Sequence, residues 1–439
     1  MQPELVNFEV VPKIVRADGE AEIAIRPLYE HCRFRPDVTY EVSYYPCEGF
    51  AERTGWRNGD PATQRPPTRI EDSVLRVRQY FEGEQEHVVR VQARSGDQCR
   101  PVGAFRIYSV RDDLFRRRAY KGDMHIHSCR SDGRESPGYV MGACRRIGLD
   151  FVALTDHGKY APSIEARDAF AGVETDLRMF PGEEIHPPAN PVHIVNFGGR
   201  FSVSDLLADE ACYRASVQQV EARLGALPPG VDRYQYASAV WCFDKIRQAG
   251  GLAVYSHPYW FVDWRYSPPG ALTSHLLDTQ PYDALEVIGG YHRSEVDSNT
   301  LQVARYHEER ARGRRIPIVG VSDAHGCERG ELFGWYYTIV FSPSPELGDL
   351  IESIEAMYSV AVEALPGETP RPYGPFRLVK YALFLLREVF PRHDELCQEE
   401  GRLMLAHLAG DSAAAEQLRL LKGRTAALLE RCWQGTGGA

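Results

Sequence analysis

The sequence predicts an α/β protein in three parts: a β-sandwich over residues 1–115, a barrel built on a parallel sheet over 120–343, and a helical region over 344–439. The chain has 439 residues, which is too long for one ordinary core. Short strand-like segments fill the first hundred residues. Strand and helix patterns then alternate from Asp123 to about Phe341, as expected for a parallel sheet.

The first part reads as alternating apolar and polar segments separated by turn-rich stretches, which is typical of an antiparallel, immunoglobulin-like sandwich. The predicted strands are Val6–Val11, Glu20–Ile25, Val38–Tyr45, Ser73–Tyr80 and Val88–Ala93. No group of residues in this part suggests catalysis. Its aromatic residues are best explained as core.

The second part carries metal-capable side chains at or just after its apolar strands. The predicted strands are Met124–His127, Phe151–Leu154, Met179–Ile185, Val192–Phe197, Leu252–Ser256, Ala284–Ile288, Ile316–Val321 and Tyr336–Phe341. In parallel barrels the reactive groups gather at the carboxyl ends of the strands. We therefore expect one site at that end.

His125 and His127 are the strongest single signal in the chain. Side chains alternate between the faces of an extended strand, so two histidines one residue apart point the same way and can grip one metal ion. Ile126 fills the other face. Asp132, on the small polar loop that follows, supplies a further carboxylate.

Composition and charge narrow the function. The formal net charge of −10 disfavours a long nucleic acid as partner, because surfaces that follow a phosphate backbone need clustered Lys and Arg. The start of the sequence lacks the pattern of a signal peptide, and no apolar run suggests a membrane span. The 10 cysteines form no Cys-x-x-Cys pair. We expect a cytoplasmic protein without a membrane partner.

The third part shows leucines at helical spacing, for example Leu378, Leu385 and Leu386. It contains no chemical motif. We expect a packing element or a homo-oligomer contact.

The motifs taken together resemble those of the PHP family, the polymerase and histidinol phosphatase superfamily. They occur in the family's order from Lys121 to about Val340. They are His125-x-His127-x4-Asp132-Gly133, Thr155-Asp156-His157, Gly182-Glu183-Glu184, Val192-His193-Ile194, Ser256-His257-Pro258 and Ser322-Asp323-Ala324-His325. The resemblance implies a distorted barrel of seven βα units that holds up to three divalent ions.

The resemblance also implies three ligand sets, which together use nine side chains. They are His125, His127, Glu184 and Asp323 for the first ion; Glu184, His193 and His257 for the second; and Asp132, His157 and His325 for the third. Mixed imidazole and carboxylate sets suit Zn, Mn or Fe rather than Mg or Ca. Glu183 competes with Glu184 as the bridging carboxylate, and His186 competes with His193.

These features predict a metal-dependent phosphoric ester hydrolase acting on a small phosphate monoester or phosphodiester. A hydroxide bridging the ions would attack in line. His157 and Asp156 are the candidate catalytic residues, Asp156 by orienting a ligand histidine. Four basic residues are candidates for binding the phosphate or a neighbouring anionic group, and they are Arg130, Lys159, Arg293 and Arg329.

Three other functions fit the sequence less well. A nuclease or exonuclease would act on short oligonucleotides or nucleotide bisphosphates. A binuclear amidohydrolase barrel also begins with His-x-His, but the Gly-x-Glu and Ser-Asp-Ala-His motifs fit it poorly. A catalytically silent metal-binding scaffold is disfavoured by the completeness of the ligand set.

Overall fold

The computed structural model describes residues 3–48, 65–95, 98–328 and 332–434. The chain divides into two compact units. The first comprises residues 1–118, 380–393 and 423–439, and the second comprises 119–379 and 394–422. The segment predicted as one helical region, 344–439, is thus shared between the two units.

The first unit contains two four-stranded sheets. Its strands are β1 (Phe8–Val11), β2 (Ile14–Arg16), β3 (Gly19–Pro27), β4 (Thr39–Pro46), β5 (Thr68–Glu71), β6 (Val74–Phe81), β7 (Glu86–Ser95) and β8 (Gln98–Val110). The sheet orders are β1-β3-β6-β5 and β2-β8-β7-β4. Every pair is antiparallel except β2 with β8. Short helices α1 (Pro3–Asn7) and α2 (Asp112–Phe115) flank the strands.

One apolar core is shared by both sheets of this unit. Ile23 and Val77 come from one sheet, and Val89 and Ile107 come from the other; all four are fully buried. Ile23, Val77 and Val89 lie in strands that the sequence predicted, whereas Ile107 lies in β8, which it did not predict.

The second unit holds two larger sheets and a two-stranded hairpin. Its strands are β9 (Arg118–Asp123), β10 (Phe151–Ala153), β11 (Arg178–Phe180), β12 (Gly182–Ile185), β13 (Ile194–Phe197), β14 (Leu252–Tyr255), β15 (Trp260–Val262), β16 (Arg265–Ser267), β17 (Ala284–Gly289), β18 (Ile318–Val321), β19 (Tyr336–Ser342), β20 (Ser359–Glu363) and β21 (Arg371–Tyr373). The large sheets have the orders β11-β10-β9-β19-β20-β21 and β12-β13-β14-β17-β18.

Helices connect many of these strands and continue to the end of the described chain. They are α3 (Pro137–Arg146), α4 (Ala161–Asp168), α5 (Ser204–Leu207), α6 (Glu210–Glu221), α7 (Arg233–Gln248), α8 (Gly270–Thr279), α9 (Val296–Ala311), α10 (Leu347–Glu355), α11 (Phe376–Glu388), α12 (Phe390–Leu408), α13 (Ala414–Leu421) and α14 (Arg424–Gln434). Within the described residues, none of the helices combines the length and apolar character that crossing a bilayer requires.

The sheets are mixed rather than parallel throughout. β12 pairs antiparallel with β13, and β13 pairs antiparallel with β14. The link between β12 and β13, residues 186–193, is too short for the crossover that parallel strands need. Pro181 divides the predicted strand Met179–Ile185 into β11 and β12, since proline cannot donate to a strand ladder.

Strands β20 and β21 lie inside the segment predicted as helical. In β20, Val360 and Val362 are fully buried, and the strand pairs antiparallel with β19. Its Ser-Val-Ala-Val-Glu sequence is β-branched at every second position, which favours strand. The leucine periodicity further along was read correctly, as α11 and α12 show.

Two isolated parallel bridges join the two large sheets at the ends of their strands. Ile126, after β9, pairs with Ala324, after β18; His157, after β10, pairs with Glu184 in β12. Strands β9, β10, β12, β13, β14, β17 and β18 are thereby linked in sequence around the second unit. Both bridges contain or adjoin the motif residues.

His87 in the first unit gives a pH-dependent prediction. Its ring is fully buried between the hydroxyls of Tyr44 and Ser109, each 2.7 Å from a ring nitrogen. Burial lowers the pKa of His87 from 6.5 to about 4. Below about pH 6.5 His87 is protonated in the unfolded chain but stays neutral in the folded chain, so the free energy of unfolding decreases as the pH falls. We expect a loss of about 2 kcal/mol between pH 7 and pH 5.

Replacing His87 by Phe should flatten this pH dependence, even though the variant is less stable at every pH. Amide hydrogen exchange of β7 and β8, corrected for intrinsic rates, measures the local free energy of opening. The matched control is His31→Phe at an exposed position, which should keep the slope of the parent protein. An unchanged slope in the His87 variant would contradict the assignment.

Candidate metal centre

The two histidines of the first motif lie just beyond a strand rather than within it. β9 ends at Asp123, so the predicted strand Met124–His127 begins after the observed one ends. The backbone nevertheless stays extended enough for Ile126 to bridge to Ala324. His125 Nε2 and His127 Nε2 lie 3.2 Å and 2.9 Å from the same oxygen, Oδ1 of Asp323.

Backbone hydrogen bonds fix the first and last motifs against each other. Asp323 N donates to His125 O at 2.8 Å, and His127 N donates to Ala324 O at 3.0 Å. The buried carboxylate of Asp123 accepts from the N–H groups of His125 and Ser322, both at 3.2 Å. The residues that the sequence separates most widely are therefore held in one register.

Glu184 lies at the centre of the cluster and is fully buried. Its Oε1 lies 2.9 Å from His193 Nδ1 and 3.3 Å from His257 Nε2. Its Oε2 lies 2.5 Å from His157 Nδ1 and 3.4 Å from His125 Nε2. One carboxylate thus contacts histidines that lie next to four different strands, after β9, β10 and β14 and before β13.

Glu183 points the other way. Its oxygens accept from Asn196 Nδ2 at 3.0 Å, Ser202 Oγ at 2.8 Å and Val203 N at 2.6 Å. Successive side chains of a strand face opposite sides, so β12 can direct only one of its two glutamates into the cluster. The geometry directs Glu184 inward and leaves Glu183 to anchor the following loop.

The outer part of the cluster is built around Asp132. Its Oδ1 lies 3.3 Å from His325 Nε2, and its Oδ2 lies 3.3 Å from His157 Nε2. The neighbouring Gly133 packs so closely that a Cβ there would lie 2.7 Å from the carbonyl oxygen of His127. Glycine is required for the loop to bring Asp132 over the histidines.

Several subsets of these side chains have the spacing that a metal ion needs. In each, one ligand atom per residue lies within 4.8 Å of the others. The subsets are His125, His127 and Asp323; His125, Glu184 and His257; His157, Glu184 and His186; and His127, Asp132, His157 and His325. All nine side chains predicted as ligands lie in this one cluster.

Unsatisfied polar atoms support the fit to divalent ions. Within the described part of the chain, four buried ligand atoms have no hydrogen-bond partner. They are His125 Nε2, His127 Nδ1, Glu184 Oε2 and His193 Nδ1. Buried polar atoms are normally paired, and lone pairs that converge without a donor suit a cation.

The charges of the cluster favour the same conclusion. Burial alone would raise the pKa of Glu184, but His125 and the surrounding histidines hold the pKa well below its usual value. Burial opposes a proton on His125, yet Asp323, Glu286 and Glu184 raise its pKa well above 6.5. Burial lowers the pKa of His193 to about 4, which leaves the neutral imidazole that metals bind. The site keeps its carboxylates ionised and attracts positive charge.

Sequence reasoning missed Glu286, which lies in β17 and is almost fully buried. Its Oε1 lies 2.8 Å from His125 Nδ1, and its Oε2 accepts from His257 N at 2.9 Å. It therefore orients one ligand ring and fixes the backbone of another. An acidic residue inside the otherwise apolar Ala-Leu-Glu-Val-Ile-Gly strand was the available signal.

His186 also belongs to the cluster, together with His193, with which the sequence analysis had it compete for one position. Its Nε2 lies 2.9 Å from His157 Nδ1 and 3.3 Å from Glu184 Oε2. Its ring stacks on that of His193 at 3.8 Å between centroids. The two histidines therefore lie side by side rather than as alternatives.

Asp156 has contacts other than those expected. Its Oδ1 accepts from the backbone N–H of Ser128 at 3.0 Å and of Ser131 at 2.9 Å, and its Oδ2 accepts from Ser128 Oγ at 2.8 Å. A side chain that accepts this many bonds from one loop shapes that loop. Asp156 thus positions the segment leading to Asp132 instead of orienting a histidine.

The predicted phosphate-binding residues have other partners nearby. Arg130 forms a bidentate ion pair with Glu165, at 2.7 and 2.9 Å. Lys159 donates to the carbonyl oxygen of Arg130, and Arg293 donates to a backbone carbonyl oxygen at 3.0 Å. Arg329 lies outside the described residues. The phosphate-binding role of these side chains stays a prediction.

A cleft of about 310 Å³ opens onto the cluster. Six of its lining residues come from the predicted ligands, and they are Asp132, His157, His193, His257, Asp323 and His325. The rest of the described lining includes Trp260, Tyr291, His292 and Glu295. The ligand atoms are therefore accessible to a small molecule.

No family model matches the chain, and no curated protein matches it either. Solved structures similar to it include a two-domain protein of Bacteroides vulgatus that contains a predicted PHP-like metal-dependent phosphoesterase, with 18% identity and a TM-score of 0.38. That match covers 56% of this chain and 65% of the other.

Two further solved structures are similar to about half of this chain. One, from Bifidobacterium adolescentis, carries the provisional name metal-dependent phosphoesterase, with 20% identity over 48% of this chain and 89% of the other and a TM-score of 0.32. The other is an amidohydrolase of Chromobacterium violaceum with bound sulfate and no metal, with 23% identity, coverages of 47% and 87% and a TM-score of 0.30. Similarities this low do not decide the activity of the chain.

Replacing Glu286 by Gln should weaken metal binding without removing any predicted ligand. The amide keeps only one acceptor oxygen, so His125 or the backbone of His257 loses its partner. We expect the affinity for Mn²⁺ or Zn²⁺ to fall about 10- to 100-fold, measured by competition with a chromogenic chelator. Glu309→Gln is the matched control, since Glu309 is equally buried but pairs with Arg305 on α9 and with Arg312 just beyond it. Equal affinities in the two variants would refute the role of Glu286.

Proposed function

We propose that the protein is a metal-dependent phosphoesterase that hydrolyses a phosphate monoester or a small phosphodiester. The observation that carries the proposal is the buried Glu184 carboxylate, which contacts histidines on both of its oxygens. It shares His125 with Asp323 and His157 with Asp132, and both of these aspartates line the cleft. Mixed imidazole and carboxylate clusters of this kind suit several closely spaced divalent ions.

Each part of the cluster has a distinct role in this proposal. His125, His127, Glu184 and Asp323 would hold one ion, Glu184 with His193 and His257 a second, and Asp132 with His157 and His325 a third. Glu286 and Asp123 keep the first ligand residues in place through the bonds described above. When bound, divalent ions lower the pKa of water and neutralise charge on a phosphoryl group.

The proposed reaction is a simple hydrolysis. The oxygen of water forms a bond to phosphorus, the ester P–O bond breaks, and a proton from the water ends on the departing oxygen to give the alcohol. The other product is inorganic phosphate from a monoester, or a phosphate monoester from a diester. The cleft supplies no serine or cysteine among its described lining residues, so the proposal needs no covalent enzyme intermediate. The exposed Asp132 and His325 place polar groups where the substrate enters.

Several finer features belong to the same proposal. The ring of seven strands linked by the two bridges would be a distorted (βα)7 barrel, preceded by a sandwich. The ions would be Zn, Mn or Fe, three in number. All ten cysteines are free, which supports a reducing, cytoplasmic compartment. The helical C-terminal residues remain the proposed site of any homo-oligomer contact.

A small ester is favoured over a nucleic acid. A cleft of about 310 Å³ lies near the lower end of small-molecule sites, which span about 300 to 1,000 Å³. The net charge of −10 also opposes binding to a polyanion. A panel of phosphorylated metabolites, assayed beside short oligonucleotides with Mn²⁺, would separate the two classes.

Asp323→Asn and His257→Ala should each abolish hydrolysis of an aryl phosphate. Asp323→Asn removes the negative charge of the carboxylate that contacts His125 and His127, and His257→Ala removes an imidazole that contacts Glu184. We therefore expect kcat/KM to fall by at least about 100-fold. His307→Ala, at an exposed position of α9, is the control and should retain activity. Chelator should abolish the parent activity, and Mn, Zn or Fe should restore it. Full activity in both ligand variants, with circular dichroism unchanged, would overturn the proposal.

A further inference from the structure

An aromatic hairpin stands beside the cleft. Strands β15 and β16 pair antiparallel, with Trp260 opposite Ser267. Asp263 and Trp264 connect them, with φ of 50° and 64° respectively. Two successive residues in the left-handed region form the tight turn that matches the twist of a hairpin. The segment is therefore a regular β-hairpin rather than an irregular loop.

The aromatic side chains on the two faces of this hairpin have different neighbours. Phe261 and Tyr266 lie opposite each other in the pairing and contact edge to face, at 5.3 Å between centroids. Because side chains alternate along a strand, Trp260 points to the other side. Its ring lies 5.7 Å from that of His193 and 6.1 Å from that of His257.

The protein covers the indole of Trp260 only in part. The residue is 37% exposed and lines the cleft. Trp260 N also donates to His257 O at 3.2 Å, which fixes the start of the hairpin to a predicted ligand. A large apolar ring held open beside polar, ionised groups is suited to contact with a bound molecule.

We propose that Trp260 is the stacking surface for the leaving group, and that the substrate is a phosphate monoester of a small, planar aromatic or heteroaromatic alcohol. This inference rests on the proposed function. If the phosphoryl group is bound at Glu184, His193 and His257, a ring attached to its ester oxygen would lie close enough to contact the indole. Rings stack at separations of about 4.5 to 7 Å between centroids.

The remaining lining indicates that the ring is uncharged or cationic. The carboxylate of Glu295 lies in the cleft wall, where it accepts from His292 N at 3.0 Å. A second phosphate on the substrate would meet this negative charge. The cleft volume of about 310 Å³ also suits one ring with one phosphoryl group.

The test compares phenyl phosphate with n-butyl phosphate in the Mn²⁺-supplied protein. In Trp260→Ala, we expect KM for phenyl phosphate to rise about five- to tenfold while kcat changes by less than about twofold. KM for butyl phosphate should stay nearly constant. Trp260→Phe should restore most of the preference for the ring. Trp264→Ala is the matched control, because Trp264 is 93% exposed at the hairpin turn and should behave as the parent protein.

Binding measured without turnover separates the two hypotheses. Calorimetry with phenylphosphonate and methylphosphonate should show a preference for the phenyl compound that Trp260→Ala removes. Hydrolysis with the same KM values and phosphonate affinities in parent and Trp260→Ala would overturn the inference and leave the proposed function standing. If the parent protein binds Mn²⁺ but hydrolyses neither of these esters nor any member of the phosphoester panel, the proposed function fails and the inference fails with it.

Discussion

The candidate site depends on the backbone pairing between the segments that follow β9 and β18. Asp323 N and His127 N each donate across this seam, and the buried Asp123 carboxylate holds N–H groups from both sides. Without it, His125 and His127 would have no fixed relation to Asp323. The second bridge, between His157 and Glu184, does the same for the opposite side of the cluster. The bonds that join the sheets are also the bonds that set the spacing of the ligands.

A cluster of this kind is unfavourable for a folded chain by itself. Burying Glu184 among ionisable rings removes it from water, and four of the ligand atoms find no hydrogen-bond partner within the described residues. Burial of unpaired polar atoms typically costs about 1–3 kcal/mol each. The cost explains why the supporting contacts are so complete: Glu286, Asp123 and Glu183 together satisfy the backbone and side-chain groups around the site. The surrounding structure enforces a geometry whose cost divalent ions bound at the site would relieve.

Much of the site could be predicted because motif spacing reports on strand ends. Alternating strand and helix patterns placed the histidines at one end of the sheets, and all nine predicted ligands do lie together. The bounds of the first strand could not be predicted, since β9 ends at Asp123, before His125 and His127. The segment that carries these histidines is held by the pairing of Ile126 with Ala324, and the local sequence pattern does not show a contact between such distant residues. Glu286 was missed, and His186 was treated as an alternative to His193, for a related reason, since their roles arise from contacts between distant strands. The mixed strand directions and the strands β20 and β21 likewise depend on pairing partners rather than on composition.

The pair Glu183 and Glu184 has a consequence for how this site tolerates sequence change. Adjacent residues of a strand face opposite sides, so a one-residue insertion before them moves Glu183 into the place of Glu184 and moves Glu184 one place further along the strand. This shift would still leave a carboxylate facing the histidines. It would instead strip the Asn196 and Val203 contacts from the other face, and the loop at residues 201–204 would lose its anchor. Because two glutamates are adjacent, the cluster would keep a carboxylate after such a shift, whereas the loop that Glu183 anchors would not keep its contacts.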